Sequence, residues 1–227
     1  MKRAKILMVA FAAMLSVGMV SCCKDDDEST SDSNFVDLGL PSGLLWAKCN
    51  LGATTPEGYG NYYAWGETST KDKYDWSTYK YCTANGTRLQ TLTKYNTSNE
   101  YGTPDNLTTL EAADDAATAA LGSGARTPTK DEWEELRKNT TSEWTTEGGV
   151  AGRKFTGTNG NSIFLPAAGG YNGSSLLNAE SKGYYWSSSL DTESPSSAWE
   201  FQIESNSRST SYASRDIGYT VRAVRKK

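Results

Sequence analysis

The apolar residues of this 227-residue chain come in short bursts after Phe35, separated by stretches dominated by Gly, Ser, Thr, Asn and Tyr. Such spacing builds many short strands joined by long irregular connections and leaves little room for long helices. Leu44-Leu45-Trp46-Ala47-Lys48-Cys49 reads as an early strand, and the Tyr- and Gly-rich stretch from Gly58 to Gly66 as a packed aromatic loop. Arg153-Lys154-Phe155 and Ile163-Phe164-Leu165 flank Thr158-Asn159-Gly160-Asn161, and Asn-Gly between strand-like runs is a strong hairpin signal. Tyr184 to Ser189 is expected as a further strand and Tyr219 to Arg225 as the last. In Trp199-Glu200-Phe201-Gln202-Ile203-Glu204 aromatic or aliphatic side chains alternate with polar ones, which predicts one buried face and one wet face. Residues 72–103 show no clean period and are expected to form an excursion.

Two helices are expected. Leu107 to Ala117 is alanine-rich, repeats small or apolar side chains on one face, and meets stop signals at Gly122 and Gly124. The second is better marked: Thr129-Lys130-Asp131-Glu132 is a capping box after Pro128, with Trp133 and Leu136 three apart and Glu134 four before Lys138. It should run from Lys130 to about Lys138.

The N-terminus sets the compartment. Lys2, Arg3 and Lys5 precede an apolar run from Ile6 to Val20, then Ser21 and Cys22, the order of a secretory signal. The run is too short to span a bilayer as a helix, which takes roughly twenty residues. Met19-Val20-Ser21-Cys22 resembles a bacterial lipobox, in which the cysteine is acylated and becomes the first mature residue. Cys22 is the assigned lipid anchor, better placed than Cys23. Residues 22–34 hold an acidic run with no apolar side chain beyond the cysteines, so they are expected to be a disordered tether. That run also resembles the surface-export signal of Bacteroidetes-type lipoproteins; a plain periplasmic spacer is the alternative. The expectation is an outer-membrane, lipid-anchored protein that faces the cell exterior and touches the membrane through its anchor alone.

Removing residues 1–21 takes away three positive charges and no acids, so the formal −4 becomes −7. An acidic surface argues against nucleic acid as a partner. The span 35–227 suits one domain. It holds two cysteines, Cys49 and Cys82, a candidate disulfide worth about 3.7 kcal/mol on the chain-entropy model; two separate thiols are the alternative. The chain has no histidine, which removes the commonest general base, the Ser-His triad and most zinc sites. Asp114-Asp115 is the most conspicuous carboxylate pair, but neighbours on a helix point about a hundred degrees apart. They are expected to be first-turn or surface charges, or one of them a loop cap. The acceptor patterns at Asn85, Asn96, Asn106, Asn139 and Asn172 say little in a bacterial lipoprotein.

Seven motifs fall in one order: Leu44-Trp46-Ala47-Asn50-Leu51-Gly52-Ala53, Tyr59-Gly60-Tyr62-Tyr63-Ala64-Trp65-Gly66-Glu67, Asp114-Asp115-Ala116-Ala117, Arg126-Thr127-Pro128-Thr129-Glu132-Trp133, Leu165-Pro166-Ala167-Ala168-Gly169, Tyr185-Trp186-Ser187-Ser188-Ser189 and Val221-Arg222-Val224-Arg225. Together they resemble the Fibrobacter succinogenes major paralogous domain. That family is similar to the formylglycine-generating enzyme and C-type lectin-like folds. The resemblance implies an α+β domain with a small twisted antiparallel sheet, two helices and long loops. It does not carry the enzyme's chemistry, because no cysteine follows Cys82 to supply the copper thiols and no histidine is present to hold iron. The calcium-dependent sugar motifs of lectins are missing as well. No catalytic residue, metal ligand or cofactor is therefore assigned.

The expected contact surface is the segment from Tyr184 to Asp216, whose outward and turn residues offer small polar and Tyr side chains, much as an adaptable paratope does. Its candidate ligand-binding residues are Asp191, Glu200, Gln202, Glu204, Asn206, Arg208 and Tyr212. The order of Trp186, Trp199, Phe201, Ile203, Gly218 and Val221 resembles the variable region of retroelement-diversified proteins, in which such residues hold the frame. The expected function is non-catalytic binding or adhesion to a protein or glycan ligand at the cell surface. The alternatives are a structural subunit of a surface assembly such as a pilus tip, and an oxidoreductase of the formylglycine-generating type.

Overall fold

The computed structural model describes residues 34–83 and 91–227. The expected leader, the Cys22 anchor, the tether as far as Ser33 and the Asn85 acceptor site lie outside the described residues.

Strand β1 (Phe35–Asp37) pairs antiparallel with β2 (Leu45–Ala47). Strand β3 (Tyr62–Tyr63) follows, and the excursion after it carries the two-strand ladder of β4 (Cys82–Thr83) and β5 (Thr91–Leu92). Helices α1 (Ala116–Leu121) and α2 (Lys130–Asn139) are separated by β6 (Ala125–Arg126). Strands β7 (Thr141–Glu147), β8 (Val150–Thr156) and β9 (Ser162–Pro166) form an antiparallel meander, followed by the hairpin of β10 (Gly170–Asn172) and β11 (Ser175–Leu177). Next come β12 (Lys182–Leu190), β13 (Ser197–Glu204) and β14 (Arg208–Ser214), all antiparallel. The chain closes with β15 (Tyr219–Thr220), parallel to β12, and β16 (Val224–Arg225). The result is an α+β fold dominated by antiparallel sheets, with two α-helices among the described residues. The largest sheet has the order β14-β13-β12-β15-β3, and a second has the order β1-β2-β16-β6.

The five-stranded sheet separates two cores because its central strands are apolar on both faces. Tyr185, Phe201 and Ile203 pack with Trp133 and Leu136 of α2 and with Phe155 and Leu165 of the meander. Trp133 stacks on Phe201 at 4.7 Å and 7°. On the opposite face Trp186 and Tyr219 pack with Tyr63, Trp65, Tyr74, Tyr79, Tyr81 and Tyr95, which the excursion and the loop around β3 supply. Tyrosine suits that second core because its hydroxyl satisfies loop backbone while its ring is buried. Tyr74 Oη donates to the Tyr62 carbonyl at 2.6 Å and Tyr79 Oη to the Trp65 carbonyl at 2.7 Å.

Helix α2 starts where the capping box places it. Thr129 Oγ1 accepts from Glu132 N–H, Glu132 accepts from Thr129 N–H at 2.8 Å, and Trp133 and Leu136 face the core. The first expected helix is shorter and starts later. Residues Thr108 to Leu110 lie along β12 instead, with Leu110 N–H donating to the Ser188 carbonyl and Leu190 N–H to the Thr108 carbonyl. Asp114 closes a 3-10 turn and Asp115 caps α1, so the two carboxylates do not share a helix. Neither is a surface charge, since they are 4% and 3% exposed.

Two buried arginines tie irregular backbone to these sheets. Arg222, fully buried, donates to Asn50 Oδ1, to the carbonyls of Ala47 and Lys48, and to the Phe164 carbonyl of β9 at 2.8 Å. Replacing it with Met removes a charge that is costly to bury but leaves four acceptors without donors. The second effect should win, so urea unfolding of Arg222→Met is expected to show a loss of about 2–4 kcal/mol.

Candidate functional site

Strands β13 and β14 are joined by a two-residue turn, Ser205-Asn206, across which Glu204 and Ser207 exchange both backbone hydrogen bonds. An antiparallel ladder alternates from there, so the pairs Gln202–Ser209 and Glu200–Ser211 are hydrogen-bonded. The N–H and C=O groups of Arg208, Thr210 and Tyr212 therefore point away from β13, on the outermost strand of the sheet.

The side chains of those same three residues lie on the α2 side, opposite Ile203, Phe201 and Trp199. Tyr212 is 59% exposed and meets half-buried Trp199 edge-on, with centroids 6.0 Å apart at 84°. Lys130 Nζ sits 3.2 Å from the centre of the Trp199 ring, a cation on an aromatic face. Beside them Thr210 Oγ1 donates to Glu134 Oε1 at 2.8 Å. Arg137 holds the Glu134 carboxylate at 2.8 Å and lowers its pKa to about 2, with Thr210 and Lys138 contributing. This face is a rigid, wet aromatic pair fringed by fixed charges.

The opposite face differs in kind. Glu204 accepts from Ser207 Oγ at 2.8 Å and pairs with Lys182 at 3.3 Å, and these donors lower its carboxyl pKa. Glu200 was expected to point into solvent, yet it is 4% exposed. The polar half of the β13 alternation is covered because this strand has a packed layer on each side; Trp186 of β12 and Ser211 of β14 flank Glu200 in the sheet. Burial pushes its carboxyl up to about 8, with the charge of Lys182 opposing, and its Oε2 makes no hydrogen bond among the described residues.

The seven candidate residues thus do not form one surface. Arg208 and Tyr212 share the α2 side, half-buried Gln202 and Glu204 the other, and Asn206 is exposed at the turn. Asp191 is buried, and its Oδ1 accepts from Glu193 N–H at 3.2 Å, so it braces the connection from β12 to β13. Trp199 was assigned to the frame, and Lys130 carried no signal of its own. Counting the register back from the Ser205-Asn206 turn would have set Trp199 opposite Tyr212. Cys49 and Cys82 are not bonded to one another, and each is half-buried.

The prominent carboxylate pair is held by structure. Asp115 accepts from the N–H groups of Ala117, Thr118 and Thr127 and from Thr127 Oγ1 at 2.8 Å. Asp114 accepts from Tyr81 and Tyr95 and pairs with Lys80 and Lys94; these donors hold its pKa well below the ordinary value despite burial. A narrow cleft beside it is lined by Tyr63, Glu67, Leu110, Asp114 and Trp186. Among the described residues no three His, Cys, Asp or Glu side chains cluster so as to hold a metal ion, and no helix is long and apolar enough to cross a membrane.

Comparison with known proteins gives no relative: no family model matches the chain, no curated protein is significantly similar to it, and no solved structure matches its fold.

Glu200 makes stability depend on pH. Its folded pKa, about 8, lies above the ordinary 4.5, so the folded state retains a proton that the unfolded state releases. The contribution is complete below about pH 4.5 and is lost as pH rises to about 8. Glu200→Gln should remove that slope and, at pH 9, leave the protein roughly 2–4 kcal/mol more stable than the wild type. Urea unfolding of both proteins from pH 5 to 9 measures this.

Proposed function

We propose that this chain is an exported, lipid-anchored protein whose folded part is a non-catalytic ligand-binding or adhesion module of C-type lectin-like type, displayed at the outer membrane. The observation that carries the reading is the pairing of exposed Tyr212 with Trp199 and Lys130 on the edge of the sheet. A solvated aromatic ring fixed by its neighbours stacks on a sugar ring or an apolar side chain with little entropy to lose. The bordering Thr210 and Arg208 supply polar contacts that orient such a ligand. The partner is a protein or glycan at the cell surface, and the acidic mature chain disfavours nucleic acid.

The export half of the proposal rests on the lipobox-like Met19-Val20-Ser21-Cys22 and the acidic run behind it. Cells expressing Cys22→Ser should incorporate no labelled palmitate into the protein, whereas Cys23→Ser should label as the wild type does. Equal labelling of Cys22→Ser would remove the anchor.

The binding half predicts saturable attachment of cells displaying the full chain to members of a glycan and protein array. Tyr212→Ala should weaken that attachment at least tenfold, Trp199→Ala by a similar factor, and Gln202→Ala by less than twofold. The outward backbone groups of Arg208, Thr210 and Tyr212 favour a second reading, in which β14 accepts a strand from another subunit of a surface assembly. A stoichiometric partner that copurifies with the wild type and is lost on Thr210→Pro, while array binding is absent, would select that reading.

A further inference from the structure

Arg153 lies on β8, opposite Trp144 of β7, and is 5% exposed. Its Nη1 donates to Ser142 Oγ at 3.2 Å and its Nη2 to the carbonyls of Glu204 and Ser205 at 2.7 and 3.1 Å, where β13 enters its turn. Those carbonyls place the guanidinium beneath the β13–β14 turn, beside half-buried Arg208. The Nε–H groups of both arginines are buried and have no hydrogen-bond acceptor among the described residues. Burial lowers the pKa of Arg153 and the charge of Arg208 lowers it further, so the two cations act on one another.

A buried cation normally has a carboxylate beside it, because an uncompensated charge out of water is expensive. Here the nearby carboxylates are committed elsewhere. Glu204 pairs with Lys182, and Glu134 with Arg137 and Lys138. Glu143 neighbours Trp144, the residue opposite Arg153, and with Glu147 shares the other sheet face with Lys154, to which Glu147 is paired at 3.8 Å. Among the described residues neither Arg153 nor Arg208 has an ion-pair partner. The half-buried guanidinium of Arg208, with no counter-charge among the described residues and the charge of Arg153 beside it, provides what an oxyanion needs: N–H donors and positive potential in a partly dry setting.

We propose that Arg208, backed by Arg153, holds a carboxylate or sulfate group of the ligand bound at the β13–β14 edge. This deepens the binding reading, since Arg208 and Tyr212 lie on the same side of the same strand. The ligand class follows: an acidic molecule whose anionic group occupies the turn end of β14 while an apolar or sugar face lies on Tyr212.

The test uses small ions, so it does not depend on knowing the ligand. Sodium acetate and sodium sulfate are titrated into 15N-labelled full-length protein at constant ionic strength made up with chloride, and the Nε–Hε signals of the arginines are followed by NMR. Saturable shifts at Arg153 and Arg208 are expected with at least one of the ions. Affinity should fall at least tenfold in Arg208→Gln and partly return in Arg208→Lys, which restores the charge without the fork. Backbone amide dispersion verifies folding of each variant. No saturable shift in the wild type, or equal affinity in Arg208→Gln, overturns the site. A preference for acetate assigns a carboxylate, and a preference for sulfate a sulfate ester. Ion binding that persists while Tyr212→Ala leaves array attachment unchanged would keep this site and discard the wider face; the reverse pattern would keep the face and discard the site.

Discussion

The guanidinium of Arg215 is the point at which an otherwise irregular half of the molecule becomes a defined structure. Fully buried just after β14, it donates to the carbonyls of Lys94, Tyr95 and Pro195 and to Tyr79 Oη, and its Cζ lies 4.9 Å from the centre of the Trp65 ring. Four segments distant in sequence converge on one group that cannot give up its charge. Tyr79, Tyr81 and Tyr95 of the Tyr-rich core lie outside any strand, so the positions of their rings rest on these bonds and on the tyrosine hydroxyls. Arg222 serves the opening of the domain in the same way, fastening residues 47–50 to β9.

Much of the ordered half was legible in the sequence because its signals are local. Asn159-Gly160 marked the β8–β9 turn, the Thr129 capping box set the start of α2, and alternation around Phe201 and Ile203 marked β13. The first helix was misjudged because alanine content reports propensity alone. Residues 108–110 found backbone partners on β12, whose edge no local pattern announces. The burial of Glu200 was hidden for a related reason: alternation identifies two faces of a strand, but whether one or both are covered depends on what packs there.

The candidate site was half legible. Arg208 and Tyr212 were named from composition, and hairpin geometry puts both on the α2 side. Trp199 and Lys130 escaped because one was counted as core and the other as part of a cap. Arg153 has the same history: in sequence it is an ordinary strand residue, and only the folded chain brings its guanidinium under the β13–β14 turn. The distribution is physically sensible, since a recognition surface is assembled across strands whereas sequence patterns are read along them.

The ion pair of Lys227 with Asp37, 2.7 Å long, joins the last residue of the chain to its first described strand. Spatially the stretch from Asp37 to Lys227 therefore begins and finishes at one place. The order in which its segments are synthesised is a matter of history rather than of architecture. A permuted gene that linked the two ends by a few residues and opened the chain at the exposed turn between β10 and β11 would keep every strand beside its present neighbour. Such a rearrangement would place the new ends beside the exposed Leu176 and Leu177 without altering the interior.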